Sequence, residues 1–261
     1  MSRNSDYSNI AWNPYNSKYV VTSSLSTAPS HLVSLTDANT ESQIDSTATT
    51  PNGIAIDTNA FFVTTDYHEV YNYTNRLLSS QGVKSLIGGI TNSSGYVNGP
   101  LANSKFNFPL GIAIKDPHTI YIADSKNHAI RMISGGVVST LAGAPESVNP
   151  ESGYVDGTLS AARFNLPTYI AYNSATGILV VADSLNHCIR KIYNSQVTTI
   201  GGIGNTAGYR DGLSPSSLFR YPYGVAFHGD NVVVADRNNN AIRYISSCGK
   251  LFFCFVLINR I

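Results

Sequence analysis

The chain has 261 residues, a net charge of +1, 13% charged and 43% apolar residues, with 21 Gly, 11 Pro and 16 Tyr. That length allows one large domain or two small ones with a sizeable buried core. The apolar content excludes a disordered solvating segment. The near-neutral balance argues against a role on nucleic acid or a membrane surface, which needs a concentrated positive field.

In chain order, the first 16 residues are polar and contain no apolar h-region, so no signal peptide is read there. A cytoplasmic location is the default expectation, beside membership of a longer extracellular or membrane protein. Ile10-Ala11-Trp12 with Tyr19-Val-Val-Thr22 is a degenerate opening copy of a pattern that returns 44 residues later at Ile54. The second copy is Pro51-Asn-Gly-Ile-Ala-Ile-Asp57, followed by Phe62-Val-Thr-Thr-Asp66 and Val83-Lys-Ser-Leu-Ile-Gly-Gly89. Asn72-Tyr73-Thr74 and Asn92-Ser93-Ser94 match the glycosylation acceptor pattern, which is common by chance.

Three fuller copies follow. Each opens on a glycine loop, Gly95–Gly99, Gly153–Gly157 and Gly208–Gly212, then a phenylalanine (Phe106, Phe164, Phe219) and a proline (Pro109, Pro167, Pro222). Each continues with Tyr121-Ile-Ala-Asp-Ser125, Val180-Val-Ala-Asp-Ser184 or Val233-Val-Ala-Asp-Arg237, and then Asn127-His-Ala-Ile-Arg131, Asn186-His-Cys-Ile-Arg190 or Asn239-Asn-Ala-Ile-Arg243. The prolines at 51, 109, 167 and 222 recur at intervals of 58, 58 and 55 residues. The units span about 9–50, 51–89, 109–143, 167–202 and 222–250, joined by the glycine-rich loops in a domain of 1–250. Residues 251–261 stand apart. Leu251–Ile258 is an apolar run far short of the roughly 20 residues of a membrane helix. It reads either as a buried last strand or as the point where a longer protein has been cut or misread. Cys188, Cys248 and Cys254 are odd in number, with neither metal-ligand spacing nor a disulfide framework.

Within a unit, runs of four to six Ile, Val, Tyr and Phe are bounded by Gly, Pro, Asn or Asp, and no stretch of helical period intervenes. Strands this short are not stable alone. Four-stranded units of this length stack radially as a β-propeller, whose radial repetition leaves only short, protected edges. The expected fold is therefore all-β, with about five four-stranded blades.

The cassette Phe-Asn-x-Pro-x-x-Ile-Ala, then Tyr-Ile-Ala-Asp-Ser-x-Asn-His-x-Ile-Arg, then Val-x-Thr-Leu-Ala-Gly resembles the NHL repeat, over residues 51–250 and faintly over 9–50. The resemblance implies a propeller, usually of six blades. Five units then point to a five-bladed ring or a fragment of a six-bladed one.

Residues that recur in every blade should serve the blade, whereas a unique site should differ between blades. Asp66, Asp124, Asp183 and Asp236 end strands and are read as acceptors of turn N–H groups. His128 and His187, with His68 nearby and Asn240 in the last copy, are read as hydrogen-bonding links between turn and strand. Arg131, Arg190 and Arg243 are read as in-blade partners, ahead of an anion- or RNA-facing stripe, and the phenylalanines as plugs between blades. Asn98-Gly99, Asp156-Gly157 and Asp211-Gly212 are turn formers that lack phosphate-loop spacing.

The leading functional expectation is a non-catalytic propeller that presents a loop-decorated face to a protein, peptide or glycan, with no cofactor or metal and no DNA. Tyr96, Tyr154, Tyr209, Tyr169 and Tyr223, in and after the glycine loops, are its candidate binding aromatics. The competing expectation for them is groove filling. The alternative function implied by related propellers is a metal-dependent, lactonase-like hydrolase or lyase. RNA binding, also known among the family, is disfavoured by the charge.

Overall fold

The computed structural model describes residues 6–13, 18–25, 28–35, 41–45, 51–57, 60–74, 83–146, 150–214, 216–247 and 250–253. They form antiparallel sheets in which neighbouring strands follow one another in sequence. The first sheet runs β1 (Asp6–Asn13), β2 (Lys18–Leu25), β3 (Ala28–Leu35), β4 (Glu41–Asp45). The second runs β5 (Pro51–Ile56), β6 (Ala60–Thr65), β7 (Val70–Thr74), β8 (Val83–Gly88).

The next three sheets have a fifth, two-residue strand. The third comprises β9 (Gly99–Pro100), β10 (Pro109–Asp116), β11 (Thr119–Asp124), β12 (Ala129–Ser134) and β13 (Val137–Ala142). The fourth comprises β14 (Gly157–Thr158), β15 (Pro167–Asn173), β16 (Ile178–Asp183), β17 (Cys188–Tyr193) and β18 (Gln196–Gly201). The fifth comprises β19 (Gly212–Leu213), β20 (Pro222–His228), β21 (Asn231–Asp236), β22 (Ala241–Ile245) and β23 (Lys250–Phe253). In each, the short strand pairs with the last long one, as Gly157↔Val197 and Thr158↔Gln196. The Asn-Gly and Asp-Gly pairs are thus more than turns. Their loops fold back over the unpaired outer edge of their own blade, which blunts it against intermolecular pairing.

This is a β-propeller in blade construction, all-β throughout. Leu251–Phe253 belongs to β23, while 254–261 lies outside the described residues, as do Cys248 and Cys254. Cys188 is buried and free, and burial pushes its thiol well up.

The chain divides into two compact units, residues 1–122 with 132–139, and residues 123–131 with 140–261. In the first, Phe62, Val70, Phe106, Ile112, Ile120, Ile122, Ile133 and Val138 form one apolar cluster. Phe106 is fully buried and lies where a Cβ on Gly88 would meet its ring at 3.1 Å, beside Ile133. Glycine is required at 53, because a Cβ there would stand 2.0 Å from the carbonyl oxygen of Leu110. In the second unit the matching cluster is Val180, Ala182, Ile189, Phe219, Val225, Val232, Val234 and Ile245. Strands of this kind alternate side chains between faces, so in each of these two clusters one row of a blade is buried against the next blade of the same unit.

Candidate functional site

The turns that follow the second strand of the third, fourth and fifth blades carry most of the recurring residues. Ser125–Asn127, Ser184–Asn186 and Arg237–Asn239 are single 3-10 turns. Each ends on a left-handed residue, His128 (φ 53°), His187 (φ 56°) or Asn240 (φ 51°), a conformation that His and Asn tolerate better than most. The imidazoles reach forward to the following blade. Nδ1 of His128 accepts the N–H of Leu166 at 3.1 Å, and Nδ1 of His187 accepts that of Tyr221 at 3.1 Å. In the first unit, His68 accepts the N–H of Phe108 at 3.0 Å. Phe108, Leu166 and Tyr221 are themselves left-handed (φ 53–56°) and immediately precede Pro109, Pro167 and Pro222. The histidine therefore holds the donor of a strained pre-proline residue. Accepting at Nδ1 leaves the proton of the neutral ring on Nε2. Burial lowers the His128 pKa. Burial and Arg220 lower that of His187, against the pull of Asp236.

Serines in the same turns complete the joint: Ser125 Oγ donates to the Pro167 carbonyl at 2.6 Å and Ser184 Oγ to that of Pro222 at 2.5 Å.

The carboxylates and guanidiniums pair inside the blades. Asp124–Arg131, Asp183–Arg190 and Asp236–Arg243 each meet at 2.8 Å with both side chains fully buried. Asp183 also accepts the Asn165 N–H at 2.7 Å and the Asn186 amide at 2.8 Å. Asp236 does the same with the Arg220 N–H and Asn239, both within 2.8 Å. Burial pushes the Asp183 carboxyl up to about 6 against the pull of Arg190, so the pair is ionised at neutral pH. Burial likewise raises Asp236. The glycine loops supply a second carboxylate that motif reading treated only as a turn former. Asp156 bonds Arg190 at 2.6 Å and Asp211 bonds Arg243 at 2.6 Å. Their recurrence ahead of Gly157 and Gly212 is the one sequence signal that marks them.

The second blade departs from this pattern. Strand register sets Thr65 opposite Pro51, as Asp183 stands opposite Pro167, and Tyr71 opposite Leu86, as Arg190 stands opposite Thr199. Asp66 thus falls one residue beyond the position of the other three aspartates. It is half-buried, and its Oδ1 has no hydrogen-bond partner among the described residues. The fully buried carboxylate of this blade is Glu69, which accepts the hydroxyls of Thr65 and Thr91.

The five candidate tyrosines separate into two kinds. Tyr96 is buried. Tyr154 and Tyr209 lie over Arg190 and Arg243 at 5.1 and 4.9 Å, with Phe164 and Phe219 over the same guanidiniums at 5.0 and 4.7 Å. Tyr154 also bonds Thr199 at 3.0 Å, whereas Tyr209 keeps 49% of its surface exposed. Tyr169 and Tyr223 come together at the starts of β15 and β20. Burial and the neighbouring Tyr223 push the Tyr169 hydroxyl up to about 12, so it remains a donor. Arg237 covers the Tyr223 ring at 5.1 Å. With exposed Arg220 and half-buried Tyr221, these residues make a cationic, aromatic patch at the turn-bearing end of the second unit. Among the described residues no group of three or more His, Cys, Asp or Glu side chains could hold a metal ion. Nor is any helix long and apolar enough to cross a membrane.

Antiparallel blades of this construction define a β-propeller, and comparisons place the chain more narrowly. No family model matches. The human NHL repeat-containing protein 2 is 30% identical over 143 residues, covering 51% of this chain and 20% of that protein. Among solved structures, an auxiliary nutrient binding protein of Bacteroides thetaiotaomicron matches with a TM-score of 0.68 at 19% identity, over 91% of this chain and 58% of that one. Virginiamycin B lyase from Staphylococcus aureus matches with a TM-score of 0.60 at 12% identity, over 99% and 72%. The chain is thus similar to an NHL repeat-containing protein over half of its own length, and spans about a fifth of that curated relative.

Proposed function

We propose that this chain is a non-catalytic scaffold that holds a protein, peptide or glycan partner on the turn-bearing end of its later blades. The observation that carries this reading is the division of labour among polar residues. The Asp, Arg, Asn, Ser and His that recur from blade to blade are engaged in the bonds that build the joints. Residues that differ between blades, Arg220, Tyr221, Tyr223 and Arg237, gather at that end with the two arginines exposed. Varied residues on rigid turns are where recognition concentrates, and arginine with tyrosine is the pairing enriched at binding hot spots. The nutrient-binding name of the Bacteroides relative agrees with a ligand-carrying scaffold.

The test is affinity capture with the wild-type chain and with an Arg220→Ala/Tyr223→Ala/Arg237→Ala variant. The captured partner should be lost while the melting temperature stays within a few degrees. A partner retained by the variant overturns this choice of face. The runner-up, a metal-dependent hydrolase or lyase, is checked by elemental analysis of purified protein, where stoichiometric calcium or zinc would displace the scaffold reading.

A further inference from the structure

Within the second unit, a cleft of about 520 Å3 opens between the sheet of β15–β18 and the sheet of β20–β23. Its floor is apolar, made of Ile178, Val180, Ile200, Phe227, Val232 and Ile245. Asn173 Nδ2 bridges the two sheets to the Gly229 carbonyl at 3.2 Å, and Ser214 Oγ bridges them to that of Thr199 at 3.5 Å.

The corresponding joint of the first unit carries a larger side chain at one position. Val180 pairs with Ala171 as Phe62 pairs with Ala55, so the two are equivalent. Phe62 is 3% exposed and packs in the core of its unit. Val180 is itself fully buried beneath the cleft, so a phenylalanine there would have to push its ring outward into that space.

Three polar features of the rim point to an occupant. Lys191 and Asp230 are the ionisable groups lining the cleft, and among the described residues neither has an ionic partner. Thr176 Oγ1 is buried without a hydrogen-bond partner among the described residues. A buried hydroxyl without a partner is costly unless something fills the site, and Lys191 and Asp230 offer opposite charges to an occupant. The volume is that of a small-ligand pocket, roughly 300–1,000 Å3. A pure anion would meet Lys191 but also Asp230. A sugar would waste the aliphatic floor.

We propose that this cleft binds a short apolar peptide with free ends, its carboxylate on Lys191, its ammonium on Asp230 and its side chains on the floor between the blades. The site is separate from the turn-bearing patch, and neither reading depends on the other.

The test is calorimetric titration of the whole chain with the dipeptide Leu-Phe and the tripeptide Leu-Leu-Phe, alongside their N-acetylated and C-amidated forms. Free peptides should bind with roughly millimolar or tighter affinity. Val180→Phe, which restores the residue of the second blade, should weaken them at least tenfold. Lys191→Met, the residue found at that position as Met132 in the third blade, should weaken the free acids at least tenfold and the amides little. Asp230→Asn should act on free amines but not on N-acetyl peptides. Absence of saturable binding overturns the proposal, as does binding that Val180→Phe and Lys191→Met leave unchanged. A concentration-dependent dimer in sedimentation that Val180→Phe abolishes would give the cleft to a second copy of the chain instead.

Discussion

Nδ1 of His187 accepts the backbone N–H of Tyr221 at 3.1 Å, across 34 residues of chain and from one blade to the next. The bond exists only while the ring is neutral, since imidazolium has no acceptor.

Acid should therefore loosen the blade joints. The folded-state pKa values of His128 and His187 lie below the ordinary value of about 6.5. Their contribution is fully present above about pH 6.5 and is lost as pH falls through the lowered folded values. Urea midpoints measured between pH 8 and 5 should fall in that window. His187→Asn, which copies Asn240 with its left-handed φ of 51°, should flatten part of the dependence. His187→Phe should cost about 0.5–3 kcal/mol at pH 8 by leaving the Tyr221 N–H without its acceptor.

Arg190→Met should be among the most damaging single changes. It strands Asp183, fully buried and 2.8 Å from the lost guanidinium, at a cost of about 3–5 kcal/mol. Combining it with Asp183→Asn should cost clearly less than the sum of the two single changes, because the uncompensated charge is gone. Equilibrium denaturation of the four proteins in the cycle measures this.

Gly204 has a different constraint. A Cβ there would lie 2.2 Å from the Tyr154 ring, so Gly204→Ala should destabilise by about 1–3 kcal/mol through overpacking. In a Tyr154→Ala background the same change should be nearly neutral. Tyr154→Ala by itself should lower the melting temperature, because the ring lies over Arg190 and its hydroxyl bonds Thr199. Thermal scans of the single and double variants decide whether this tyrosine serves the fold.

Phe219 is fully buried against Gly201 and Ile245 and over Arg243. Phe219→Ala should cost about 3–5 kcal/mol. Tyr209→Ala, at an exposed ring over the same guanidinium, should cost about 0.5–1 kcal/mol. A reversed order in denaturation would mean that the exposed ring, not the buried one, anchors the arginine.

The sequence by itself determined the blades. Proline spacing, short β-branched runs and turn residues act locally, and each is repeated, so the strands and the β-propeller family were legible without coordinates. The recurrence of Asp183 and Arg190 marked them as serving the blade. The same comparison misplaced the second blade by one residue, because its turn is shorter and Thr65, not Asp66, stands opposite Pro51. Only the tertiary structure decided which atoms meet across blades. The His187 acceptor for Tyr221, the Asp156 carboxylate on Arg190 and the Arg237–Tyr223 stack join segments that no period connects. The cleft between the sheets of β15–β18 and β20–β23 likewise depends on how two separate blades meet, which has no local signature in the chain.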